Sequence, residues 1–147
     1  MGFRIGMCLA VCMLMGASAP QDGVSPSSEA FQGVWQLSSG ESAGQALSPA
    51  QLEGGALVID GGRYTITLAD VGTVTGTQEL GEADGLMTID ITDDSGPRAG
   101  QTCLGIFEFD GDEFRVIVAS PGEDRPTKFK TMPDSGQWLH VWKRAQD

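Results

Sequence analysis

The chain has 147 residues, 9 basic against 20 acidic, and a formal net charge of −11. That is about one domain's worth of chain, and its acidity argues against nucleic acid and anionic membrane surfaces as partners. His140 is the single histidine and 3 cysteines are present, so no His or Cys cluster exists to build a metal site.

Residues 1–18 have the three-part layout of a secretory signal peptide: Arg4, an apolar run from Ile5 to Met15, then Gly16, Ala17 and Ser18. The run is shorter than the roughly 20 apolar residues a membrane-spanning helix needs. Cleavage after Ser18 avoids placing Pro20 next to the cut. Cys12 is a poor lipoprotein acceptor, because Val11 is bulky for the position before a lipidated Cys. The expectation is therefore an exported protein, periplasmic or extracellular, with no transmembrane segment in the mature chain. Loss of the signal leaves 8 basic against 20 acidic residues, a formal charge of −12, and Cys103 as the remaining cysteine. No internal disulfide can form, and Cys103 reads as a small buried hydrophobe on a strand. Residues 19–30, rich in Ser, Pro, Gln and Asp, read as a flexible tether. The domain proper is expected over 31–144.

Within it, eight β-type stretches are separated mostly by Gly, Asp, Ser and Pro clusters. The first covers 33–38. Ser48 suits a helix cap and Pro49 its first turn, which predicts one short helical turn near 47–52. Strands two and three cover 56–59 and 63–68, joined by the tight-turn signal Asp60-Gly61-Gly62. Strand four covers 71–80, with Gly72 and Gly76 on one face, where a bend or a large neighbour is expected. Strand five covers 86–92, with Met87, Ile89 and Ile91 pointing one way. Strands six and seven cover 101–109 and 113–119, a hairpin through Asp110-Gly111-Asp112. The longest loop, 120–136, leads to strand eight at 137–143. Such a rhythm predicts one antiparallel sheet closed into a small barrel, which leaves no open edge.

Gly33-x-Trp35 on the first strand and Arg144 just after the last resemble the paired motifs of the lipocalin-like, or calycin, architecture. That resemblance implies a structural latch, with the Arg144 cation resting on the Trp35 indole at the closed end. A second resemblance covers almost the whole mature domain. Gln32-Gly33-Val34-Trp35, Leu57-Val58-Ile59, Gly62, Gly76-Thr77, Ile89-Asp90-Ile91-Thr92, Gly96-Pro97, the stretch from Gly100 to Glu108, Asp110-Gly111-Asp112, the stretch from Pro121 to Thr127 and Trp142-Lys143-Arg144 occur in order. They are similar to a family of uncharacterised exported domains expanded in planctomycete bacteria. This chain has Phe107 where that family often carries Tyr, and Ile117-Val118 where a Cys is common. The resemblance implies a fold and transfers no activity.

Tyr64, Ile66, Met87, Ile89, Phe107 and Phe114 are expected to line the barrel, where a small apolar or amphipathic molecule would sit. Arg125 has two readings: a clamp for a carboxylate at the mouth, or a structural pin for the long loop, the reading favoured by the many acids nearby. His140 reads as a strand residue near Trp138 and Trp142, since it has no partners for catalysis. No Gly-x-Ser-x-Gly motif is present. Asp93-Asp94 and Asp110-Gly111-Asp112 lack EF-hand spacing and read as turns. The expectation is a non-enzymatic binding module without cofactor. The alternative is a structural or protein-interaction barrel with a filled interior. An apolar chamber of at least about 300 Å³ favours the first; exposed Trp138 or Trp142 favours the second.

Overall fold

The computed structural model describes residues 26–145. The expected signal peptide, Cys12 and most of the expected tether lie outside the described residues. The chain runs α1 (Pro26–Phe31), β1 (Gly33–Ser42), β2 (Gln45–Ala46), α2 (Pro49–Leu52), β3 (Ala56–Asp60), β4 (Arg63–Leu68) and β5 (Gly72–Ala83). It continues with β6 (Leu86–Asp93), β7 (Thr102–Asp110), β8 (Glu113–Val118) and β9 (Trp138–Arg144). From β3 onward each strand pairs antiparallel with the next, β3 also pairs with β1, and β1 pairs with β9, so eight strands close into a barrel. The two-residue β2 pairs with the end of β1 alone.

Closure depends on an irregularity. Trp35 stands opposite Arg144 and Leu37 opposite Trp142, but Ser39 is the next residue to find a partner, Val141. The extra residue bends β1 and lets it follow β9 as far as Trp138. This is why β1 extends to Ser42, beyond the expected 33–38. The short helix has the expected cap: Ser48 Oγ accepts from the Gln51 amide, and Gln51 Oε1 accepts from the Ser48 amide. Gly76 is where a large neighbour needs room. A Cβ there would collide with the Tyr64 hydroxyl and the Thr92 carbonyl.

One end of the barrel is sealed. Phe31, Phe107, Phe109 and Phe114 form a cluster with ring centroids 4.9 to 6.3 Å apart around Phe31, and Trp35 meets Phe114 edge-on at 4.6 Å. Phe31 is buried here, so the last residues of the expected tether are ordered as α1. Six residues are too few for a helix stable by itself; tertiary contacts hold it. Trp35 Nε1 donates to the Phe31 carbonyl at 3.0 Å. Arg144 donates to the Gln32 carbonyl at 2.9 Å and the Ala30 carbonyl at 2.6 Å, which occupies acceptors left open at the helix end. Its guanidinium lies 4.1 Å from the Trp35 ring centre. Gly33 makes that approach possible: its φ is +119°, and a Cβ would lie 2.8 Å from Arg144 Nη1.

The other end carries the longer connections. The segment after β8 is pinned through buried Thr131, whose amide and hydroxyl both donate to Glu41, while Gly44 N–H donates to its Oγ1 at 2.8 Å. The hydroxyl and amide of Thr131 hold the Glu41 carboxyl below its ordinary range. Among the described residues no helix is long and apolar enough to cross a membrane.

Candidate functional site

Inward-facing side chains fill the sealed half of the barrel but not the open half. A chamber of about 470 Å³ opens at the mouth, lined by Leu37, Ile66, Leu68, Val74, Ile91 and Trp138 among others. Below it lies an inner chamber of about 60 Å³. Tyr64, Ile66, Ile91, Trp138 and His140 border both.

Strand geometry explains which predicted residues reach these spaces. Tyr64 and Ile66 alternate inward along β4 and line both chambers. Ile89 and Phe114 border the inner one. Met87 and Phe107 face inward too, but they stand opposite each other near the sealed end and belong to the packed core. They line neither chamber. Alternation along a strand tells the face, not the height along the barrel axis.

Arg125 lies on the outer wall, not at the mouth. Its Nη1 donates to the Gly105 carbonyl at 2.9 Å and sits 2.7 Å from Asp90 Oδ1 in an ion pair. These contacts tie the long loop to β6 and β7.

The cation at the mouth is Arg98, from the connection between β6 and β7. It lies 4.7 Å from the Trp138 ring centre and lines the larger chamber. Thr75 and its neighbours fix the path of this connection. The Asp94 amide donates to the Thr75 carbonyl at 2.9 Å, and the Thr75 amide donates to Ser95 Oγ at 2.9 Å. Asp94 also pairs with Arg63 and accepts from the Thr75 hydroxyl, which holds its carboxyl below the usual range. Among the described residues no carboxylate forms an ion pair with Arg98.

Two acids share the mouth, Asp70 and Asp93. Asp93 is engaged by the Tyr64 hydroxyl. Burial, and then that hydrogen-bonded carboxylate, push the Tyr64 phenol well above its ordinary range, so it stays a neutral donor. Cys103 is buried beside this region, and burial raises its thiol against the opposing pull of Arg98. A raised thiol is a poor nucleophile.

β9 turns Trp138, His140 and Trp142 inward. His140 stands between Gly40 of β1 and Val116 of β8 and is 7% exposed. Its ring meets Trp142 edge-on at 5.6 Å. Burial alone lowers its pKa to about 4, so the imidazole is neutral near neutral pH. Neither inward tryptophan forms an exposed patch: Trp142 is 1% exposed and Trp138 half-buried in the chamber wall.

Sequence reasoning missed Arg98, His140 and Trp138 as lining residues. β9 is apolar on both faces, so its period gave no inward direction. No family model, no curated protein and no solved structure matches this chain.

Proposed function

We propose that the protein is an exported, non-enzymatic binding module for a small amphipathic molecule carrying an anionic group. The observation that carries this reading is the mouth chamber of about 470 Å³, apolar along most of its wall and edged by Arg98. Its volume falls within the about 300–1,000 Å³ usual for ligand pockets. The Arg98 guanidinium lies over Trp138 and forms no ion pair with a described carboxylate, which leaves its charge free to meet a carboxylate, sulfate or sulfonate at the rim. The resemblance to exported planctomycete domains agrees with export and adds no ligand. The alternative, an interaction barrel with a filled interior, has less support, because the chamber is open and both Trp138 and Trp142 face inward.

The test uses anilinonaphthalene sulfonate, an anionic amphipathic probe. Saturable binding with one site per chain is expected. Arg98→Gln should weaken it about tenfold, the loss of one charge-assisted contact. Ile66→Trp, which fills the chamber, should abolish it while circular dichroism stays unchanged. A wild-type protein with no saturable binding, or equal binding by Ile66→Trp, would remove the basis for the reading.

A further inference from the structure

The inner chamber contains a feature that packing does not account for. Its wall is apolar apart from Tyr64, Gln78, His140 and the indoles of Trp138 and Trp142, and no charged side chain borders it. Tyr64 is committed to Asp93. Gln78 is 9% exposed and its Nε2 donates to the Gly61 carbonyl at 2.9 Å, yet its buried Oε1 has no hydrogen-bond partner. The His140 imidazole borders both chambers. Leaving a buried acceptor unsatisfied costs about 1–3 kcal/mol, and an apolar residue of similar shape would avoid that cost.

We propose that the inner chamber is a second recognition subsite, in which Gln78 Oε1 and His140 receive a neutral hydroxyl or amide at the far end of the ligand. This inference rests on the binding reading and deepens it: the ligand is an anion at the mouth, apolar through the middle, and a neutral hydrogen-bonding group at its inner tip. The volumes agree with that order. About 60 Å³ holds one small polar group, given that a water's share of liquid volume is about 30 Å³. The chemistry agrees as well. A hydroxyl both donates to Gln78 Oε1 and accepts from a neutral imidazole. A second carboxylate would face the Gln78 oxygen without a cation in the chamber, so burying its charge there is disfavoured.

The experiment compares three series of straight-chain acids of eight to twelve carbons: plain alkanoates, ω-hydroxyalkanoates and α,ω-dicarboxylates. Calorimetry at neutral pH reads the affinity. At the best chain length the ω-hydroxy acid should bind about tenfold more tightly than the plain acid, with the dicarboxylate weakest. His140→Phe and Gln78→Met should each reduce the ratio of hydroxy-acid to plain-acid affinity toward one. Two variants are used because Gln78→Met also removes the bond to Gly61. Equal affinities for hydroxy and plain acids in the wild type would overturn the inference and assign Gln78 Oε1 to a bridging water, with the binding reading intact. Binding by none of the three series would overturn both.

Discussion

Trp35→Ala is expected to destabilise the protein by about 4 kcal/mol, the largest loss any single truncation here should cause. Trp35 is fully buried, meets Phe114 edge-on and donates to the Phe31 carbonyl, so its removal leaves a cavity and an unpaired acceptor. Native stability is about 5–15 kcal/mol, so this change consumes a large share of it. Arg144→Met separates the two halves of the latch, because it keeps much of the aliphatic stem but loses the donors to Ala30 and Gln32 and the cation over the ring. A cost of about 2–3 kcal/mol is expected. Urea denaturation monitored by far-UV circular dichroism measures both. Amide exchange should also accelerate at Phe31 and Gln32 in Arg144→Met before the strands respond. A stability change below about 0.5 kcal/mol for Arg144→Met, the level of an ordinary surface substitution, would contradict the latch.

The second large effect is on pH. His140 titrates near 4 in the folded protein, lowered by burial, against about 6.5 in an unfolded chain. Between those values the unfolded chain holds the proton and the folded one does not, so stability falls as pH falls. The loss should reach about 2 kcal/mol between pH 7.5 and 5, and about 3 kcal/mol by pH 4. The charged or titratable groups lining the same space are Tyr64, Asp70, Asp93 and Arg98. Burial remains the cause of the lowered value. Glu41 and Asp94, both held below the carboxylate range, contribute in a separate window: their stabilisation disappears only as pH falls through their folded values. Free energies of unfolding from urea titrations at several pH values separate the two. His140→Leu should flatten the profile above pH 5 and keep the acid limb. A wild type and His140→Leu with the same slope from pH 7.5 to 5 would refute the assignment.

Much of the barrel was legible in the sequence. Hairpin turns and period-two alternation marked the strands from β3 to β9 within a few residues, and Gly33, Trp35 and Arg144 marked the closure. The exceptions have physical causes. Gly40, Glu41 and Ser42 have weak β preference, and pairing with β9 across the irregularity near Ser38 makes them a strand. Pro26–Phe31 has the composition of a tether, and its helix depends on Phe31 entering the core and on Arg144 reaching its carbonyls. The site was less legible than the fold. Arg98 and Arg125 both lie in polar loops, and their directions follow from distant bonds: Thr75 orders one loop, and the Gly105 carbonyl receives the other. The height of Met87 and Phe107, and the inward turn of His140, depend on register with neighbouring strands.

The two rims of the barrel tolerate change unequally. At the sealed rim, β3–β4, β5–β6 and β7–β8 are joined by two residues each, Gly61-Gly62, Asp84-Gly85 and Gly111-Asp112. Gly61, Asp84, Gly85 and Gly111 all have positive φ, so few side chains fit there. At the mouth, residues 94–101 and 119–137 connect strands without taking part in closure. Insertions and substitutions in the 94–101 segment reshape the opening, whereas 119–137 also braces the wall through Arg125 and buried Thr131. The architecture thus suits divergence at one rim on a constant frame, and under the proposed binding function a library confined to the 94–101 segment is where a change of ligand preference is to be sought.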